Sequence, residues 1–190
     1  MKKDEKLQMT KDKLVASAHK LMNELDDPAE VTSRTIAADA GVKPAMINYC
    51  FGSREALLFE AARIDEEKYK KELGFYEKFS SDEAPKEILR KMHYAVADYL
   101  INEYKFTKAL TGYILLNRDL SQGLTSLPLI RAHFGGRKEE WELKLISYQL
   151  SSMTQLIIYR LEDMSEFLEI NIRKEIHKII DTQIELLLGE

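Results

Sequence analysis

Lys43, Ala45, Met46, Asn48 and Tyr49 share the outer face of one short predicted helix, with Pro44 at its first position. Ammonium, amide, phenol and small apolar groups arranged this way suit recognition rather than bond-breaking. The surrounding run, Val31 to Leu57 (VTSRTIAADAGVKPAMINYCFGSREAL), reads as two short helices joined by a glycine turn, followed by the start of a longer helix. That is the layout of a helix-turn-helix, which lays its second helix in the major groove of DNA. Catalytic chemistry finds no comparable support. His19, His93, His133 and His177 lie far apart with no metal-ligand spacing, and no phosphate-cradling glycine loop or nucleophile–base signature occurs. The expectation is a protein that is not an enzyme and uses neither metal nor cofactor.

The elements that position these residues follow from local chemistry. Thr32 stands where a helix N-cap belongs, because its hydroxyl can accept from an orphan backbone N–H. Ser33 to Asp39 forms a short helix whose small apolar face is Ile36, Ala37 and Ala40. Gly41 lies just past its end, where a left-handed backbone is wanted. Val42 can plug the turn. Pro44 suits the start of the next helix, where its missing N–H costs nothing. That helix, Pro44 to Cys50, turns Ile47 inward, with Phe51 following. Gly52 and Ser53 break the chain, and Ser53 caps a helix with Glu55 in its first turn. Before the motif, Met9 to Leu25 carries Leu14, Val15, Ala18, Leu21, Met22 and Leu25 at helical period. The helix from Ser53 is expected to run through Leu57, Leu58, Ala61, Ala62, Ile64 and Tyr69 to about Phe79.

The pattern Thr32-x-Arg34-x-Ile36-Ala37-x-x-Ala40-Gly41-Val42, then Ile47-x-Tyr49-x-Phe51-x-Ser53-Arg54-Glu55-x-Leu57, resembles the DNA-binding domain of TetR-family transcriptional regulators. The motifs cover roughly the first third of the chain and are specific in combination. The resemblance implies that Thr32 or Ser33, Tyr49 and Arg54 contact phosphates, which position a duplex without reading it. It implies that Arg34, Lys43, Ala45, Met46 and Asn48 meet base edges. Arg34 would pair with a guanine, Asn48 with an adenine, and Ala45 and Met46 would touch a thymine methyl. A surface ion pair with Asp39 is the competing role for Arg34. Three positions depart from the family. Asn48 stands where an aromatic is usual, Cys50 where histidine is frequent, and Lys43 where a small capping residue often sits. Cys50 reads as a small semi-buried side chain, with an oxidation switch as the alternative.

Composition agrees with a regulator. The chain has 190 residues, 45% of them hydrophobic, and a formal net charge of −4. Residues 1–52 carry eight Lys plus Arg and eight Asp plus Glu, so this part is neutral and lacks the basic footprint of a general nucleic-acid binder. The Lys-rich tip, Met1 to Lys13, could add phosphate contacts or be a frayed, solvated end. No apolar run is long enough to span a membrane, the N-terminus lacks the apolar core of a signal peptide, and a single cysteine excludes an intrachain disulfide. A cytoplasmic protein is expected.

The remainder shows helical period and no strand alternation, so the fold class expected is all-α. Residues 1–52 form a three-helix DNA-binding domain with a helix-turn-helix, and 53–190 a helical ligand-binding and dimerisation domain. Helices are predicted over Ala84 to Glu103, Phe106 to Leu120, a short stretch ending at Phe134, Arg137 to Asp163 and Ser165 to Leu188. The first of the last two carries two apolar stripes. One is Leu143, Ile146, Leu150, Met153, Ile157 and Leu161; the other is Trp141, Leu145, Tyr148, Leu156 and Tyr159. One stripe suffices for a core. The second fits the family's four-helix dimer bundle, and implies a homodimer binding a pseudo-palindromic operator on double-stranded DNA. The resemblance also implies a pocket for a small hydrophobic or aromatic ligand among the middle helices. Its candidate lining is His93, Val96, Tyr99, Phe106, Leu110 and Tyr113, with Asn117, Trp141, Tyr148 and Met153. The competing class is a helical adaptor or regulator that acts without a small molecule.

Overall fold

The computed structural model describes residues 3–25, 27–72, 83–120 and 124–189. Among them are ten helices and no strand: α1 (Lys3–Glu24), α2 (Ser33–Asp39), α3 (Ala45–Phe51), α4 (Arg54–Glu72), α5 (Pro85–Asn102), α6 (Tyr104–Asn117), α7 (Leu127–Phe134), α8 (Glu140–Tyr159), α9 (Leu161–Leu168) and α10 (Ile172–Leu188). The all-α class is therefore as expected. No helix among the described residues is long and apolar enough to cross a membrane.

The buried side chains fall into two clusters. The first joins Leu14, Ala18 and Met22 of α1 to Val31, Ile36, Ala37, Ile47, Leu57, Leu58 and Ala61. All but Val31 are inward positions of the expected stripes. Full burial of each large aliphatic side chain contributes about 1.5–3 kcal/mol. Leu110 of α6 belongs to the same cluster, with Phe106 and Ile114 packed against it. The second cluster is built from α5, α7, α8, α9 and α10, with Leu89, Ile130, Leu150, Ile158, Ile172, Ile180 and Ile184 fully enclosed. A buried hydroxyl pair, Ser126 Oγ to Ser147 Oγ at 2.6 Å, joins the start of α7 to α8.

Polar contacts lock α5 against α10. Arg90 donates to Asp181 at 2.5 Å and to Glu185 at 2.8 Å, and Lys86 reaches Glu185 at 2.7 Å. Further along, Tyr94 donates to Asp181 and stacks on His177, whose ring lies 2.8 Å from Asp98. Partners late in α10 meet residues early in α5, so the two helices are antiparallel.

The structure differs from the sequence reading at several helix boundaries. α1 starts at Lys3, ahead of Met9; Asp4 and Glu5 lie in its first turn, where carboxylates favour a helix N-terminus. The expected extension of α4 to Phe79 lies outside the described residues, and Ile64, expected in its apolar stripe, is exposed. The two long terminal helices are three. α8 ends at Tyr159, and Arg160 separates it from α9. The predicted helix from Ser165 is interrupted at Glu169, which adopts the left-handed φ of 55°. Asn171 then caps α10 by accepting from the Lys174 N–H at 3.2 Å. A helix cap at Asn171 satisfies donors that a continuous helix would have satisfied internally, so periodicity alone does not separate the two cases.

Gly41 has a φ of +66°, and a Cβ added there would meet open space. A substitution is therefore opposed by backbone conformation alone. Gly41→Ala should cost about 1–2 kcal/mol, read as a lowered urea midpoint. Gly112 sits in the middle of α6, also with room for a Cβ. Gly112→Ala should raise the midpoint, by about 0.5–1 kcal/mol.

Candidate nucleic-acid interface and cavity

The α2–turn–α3 unit is held rigidly from below. Thr32 and Thr35 form a reciprocal capping box: the Thr35 N–H donates to Thr32 Oγ1 at 3.1 Å, and the Thr32 N–H donates to Thr35 Oγ1 at 2.9 Å. The turn is closed by the Val42 N–H donating to the Ala37 carbonyl at 2.9 Å. Ser17 of α1 donates to the Ile36 carbonyl at 3.0 Å, and Lys20 holds Asp39 at 2.6 Å. That bridge draws the Asp39 carboxyl below its ordinary pKa and the Lys20 ammonium above its own. Asp39 thus pairs with Lys20, and Arg34 makes no ion pair among the described residues.

α3 buries Ile47 completely and sends its polar side chains outward. Lys43, Pro44, Ala45, Asn48 and Tyr49 are exposed, as is Arg34 on α2. The side chains of Ser33, Arg34, Lys43, Asn48 and Tyr49 have no hydrogen-bond partner among the described residues, so their donors and acceptors face solvent. Three expected contact residues are differently occupied. Met46 is half-buried against the first core cluster, which limits what it can offer a partner. The Thr32 hydroxyl serves its helix cap, and Arg54 Nε is engaged by Glu55 at 3.1 Å. No side chain caps α3; the Lys43 carbonyl accepts from the Met46 N–H at 2.9 Å, but a lysine has no acceptor to add.

Beneath this unit lies a cavity of about 1050 Å³. It is lined by His93, Val96, Tyr99, Phe106, Leu110, Tyr113 and Asn117, the α5 and α6 residues expected to line a pocket. Trp141, Tyr148 and Met153 do not line it, which corrects the sequence reading. Trp141 is 66% exposed and Met153 48% exposed, both on the outside of α8. α8 presents Ser151, Thr154 and Gln155 to the cavity instead. Residues that sequence reasoning missed come from the other side: Cys50, Phe51, Phe59 and Ala62 also line it. Helical period marks these as inward-facing, but it does not tell a filled core from a hollow one.

His93 is the most perturbed group here. It is 5% exposed, its Nε2 has no partner among the described residues, and burial lowers its pKa from 6.5 to about 4. Elsewhere, no three side chains of metal-binding type come together among the described residues. Compared with family models, curated proteins and solved structures, the chain matches none.

The buried neutral His93 makes stability fall in acid. Its unfolded form takes up a proton more readily, so its contribution is complete above pH 6.5 and is lost as pH falls toward about 4. The loss should reach about 3 kcal/mol. Urea unfolding across that range should show a correspondingly shallower pH slope for His93→Leu.

Proposed function

We propose that this chain is a homodimeric, sequence-specific DNA-binding regulator of the TetR type, a repressor released from a palindromic operator by a small molecule. The observation that carries the reading is the outer face of α3. Asn48 and Tyr49 stand exposed and unpartnered on a seven-residue helix fixed by Ile47, with Lys43 in the turn before it and Arg34 of α2 equally exposed. Unspent donors on a rigid platform fit direct readout of base edges. In this reading α2, its turn and α3 are the helix-turn-helix, residues 1–52 the DNA-binding domain, and residues 53–190 the ligand-binding and dimerisation domain.

The second support is the outside of α8. Trp141, Leu145, Leu156 and Tyr159 are exposed on one side of that helix, with Tyr148 half-buried among them. A contiguous apolar face of this kind marks an interaction surface. A second copy of the chain is the proposed occupant, giving a twofold dimer whose α3 helices enter successive major grooves roughly 34–36 Å apart. Because residues 1–52 carry no net positive charge, pairing two readers compensates for weak electrostatic attraction.

The cavity supplies a route for release. Phe59 and Ala62 of α4 line it together with Phe106 and Leu110 of α6. A ligand that favours one arrangement of α4 over another would shift the population away from the DNA-binding state. A cytoplasmic location follows from this function.

Selection of genomic fragments on the purified protein should return a short pseudo-palindrome. Recovery of sequence-independent, salt-sensitive binding alone would overturn the repressor reading in favour of a helical adaptor. On the selected site, Arg34→Ala should cost about 1–3 kcal/mol and relax specificity at one position. Sedimentation at micromolar concentration should give a dimer, and Leu145→Arg a folded monomer; a monomeric unaltered chain would sink the dimer.

A further inference from the structure

His93 Nε2 is a buried hydrogen-bonding atom with no partner among the described residues, and His93 lines the cavity. Such an atom costs on the order of 1–3 kcal/mol while it stays unmet. We infer that the cavity takes an uncharged, lipophilic, hydroxyl-bearing molecule, with one hydroxyl hydrogen-bonded to the His93 imidazole. This rests on reading the cavity as the effector site and names the chemistry of its occupant.

Three buried hydroxyls around the cavity are already satisfied. Thr111 donates to the Thr107 carbonyl at 2.6 Å, Thr154 to the Leu150 carbonyl at 2.9 Å, and Ser126 pairs with Ser147. Among the buried acceptor-type atoms of cavity-lining residues, His93 Nε2 and Gln155 Oε1 of α8 have no partner among the described residues. Gln155 Oε1 accepts only, so its partner must donate. His93 is neutral near pH 7 because burial lowers its pKa to about 4. A neutral imidazole keeps one acceptor nitrogen, which a hydroxyl satisfies by donating. An ether cannot donate.

Charge argues the same way. Five acidic side chains line the cavity against three basic ones, which disfavours an anion. On α5 the neighbours of His93 one turn away, Leu89 and Ala97, are fully buried and apolar. An ionised ligand group beside His93 would lose its hydration among these apolar side chains. Tyr99, Phe106 and Tyr113 supply aromatic walls suited to a flat ring system.

The test is calorimetric titration of the full chain at neutral pH with para-phenylphenol, its methyl ether and para-phenylbenzoate. The phenol should bind about tenfold tighter than either counterpart, the worth of one hydrogen bond to a buried group otherwise unmet. His93→Leu should erase the preference for phenol over ether. In the unaltered protein the phenol should move the His93 imidazole nitrogen resonances and the ether should not, a readout independent of whether the variant folds. Equal binding of phenol and ether, tighter binding of the benzoate, or no binding of the phenol would each overturn the inference. An operator recovered from genomic fragments despite such a result would leave the repressor reading intact. Phenol selectivity without any sequence-specific DNA binding would overturn the repressor reading alone.

Discussion

The burial of one face of α4 is the constraint on which the rest depends. Leu57, Leu58 and Ala61 are fully enclosed against α1 and the short helices α2 and α3. The same helix packs against α6, and its Phe59 and Ala62 reach the cavity. One rigid element therefore contributes to the platform under α3 and to the wall of the hollow behind it. Moving α4 disturbs both, because a packed interior passes a displacement on rather than absorbing it. His19 of α1 reinforces this link through Asp65 of α4 at 2.8 Å.

The exposed face of α3 and the buried Nε2 of His93 are opposite solutions to the polar-group problem. Arg34, Lys43, Asn48 and Tyr49 keep their hydrogen-bonding capacity by staying in water, ready to be exchanged for a partner's groups at little desolvation cost. His93 has given up water and gained nothing in return. The first arrangement suits a reversible surface encounter; the second suits a site that gains from being filled. On the proposed reading the two are coupled through α4 and α6.

Much of the fold was legible before the structure. The inward positions Leu14, Ala18, Ile36, Ala37, Ile47, Leu57 and Leu58 follow from period and capping chemistry within short segments, where few arrangements satisfy the backbone. The Thr32 cap and the left-handed Gly41 were legible for the same reason. The breaks at Arg160 and Glu169 were not, because apolar residues continue in helical register across both and neither position is a glycine or proline. The role of Lys20 was hidden too. Asp39 has cationic neighbours in sequence and in space, and only the packing of α1 on α2 brings Lys20 to it rather than Arg34.

The sequence by itself determined that the chain is helical, where α2 to α5 start, and that the helix following Glu139 carries apolar residues on two sides. Tertiary structure decided which side is core. Leu143, Ile146, Leu150 and Ile157 meet α5, α7 and α10, whereas Trp141 and Leu145 face outward with Met153 at the edge. It also decided that the space between α5, α6 and α4 is hollow rather than filled. The physical reason is that period fixes the angle between residues on one helix, while the neighbour covering each face depends on contacts between segments far apart in the chain. An aromatic residue satisfies either environment, so Trp141 and Tyr148 read as lining until the helices were packed.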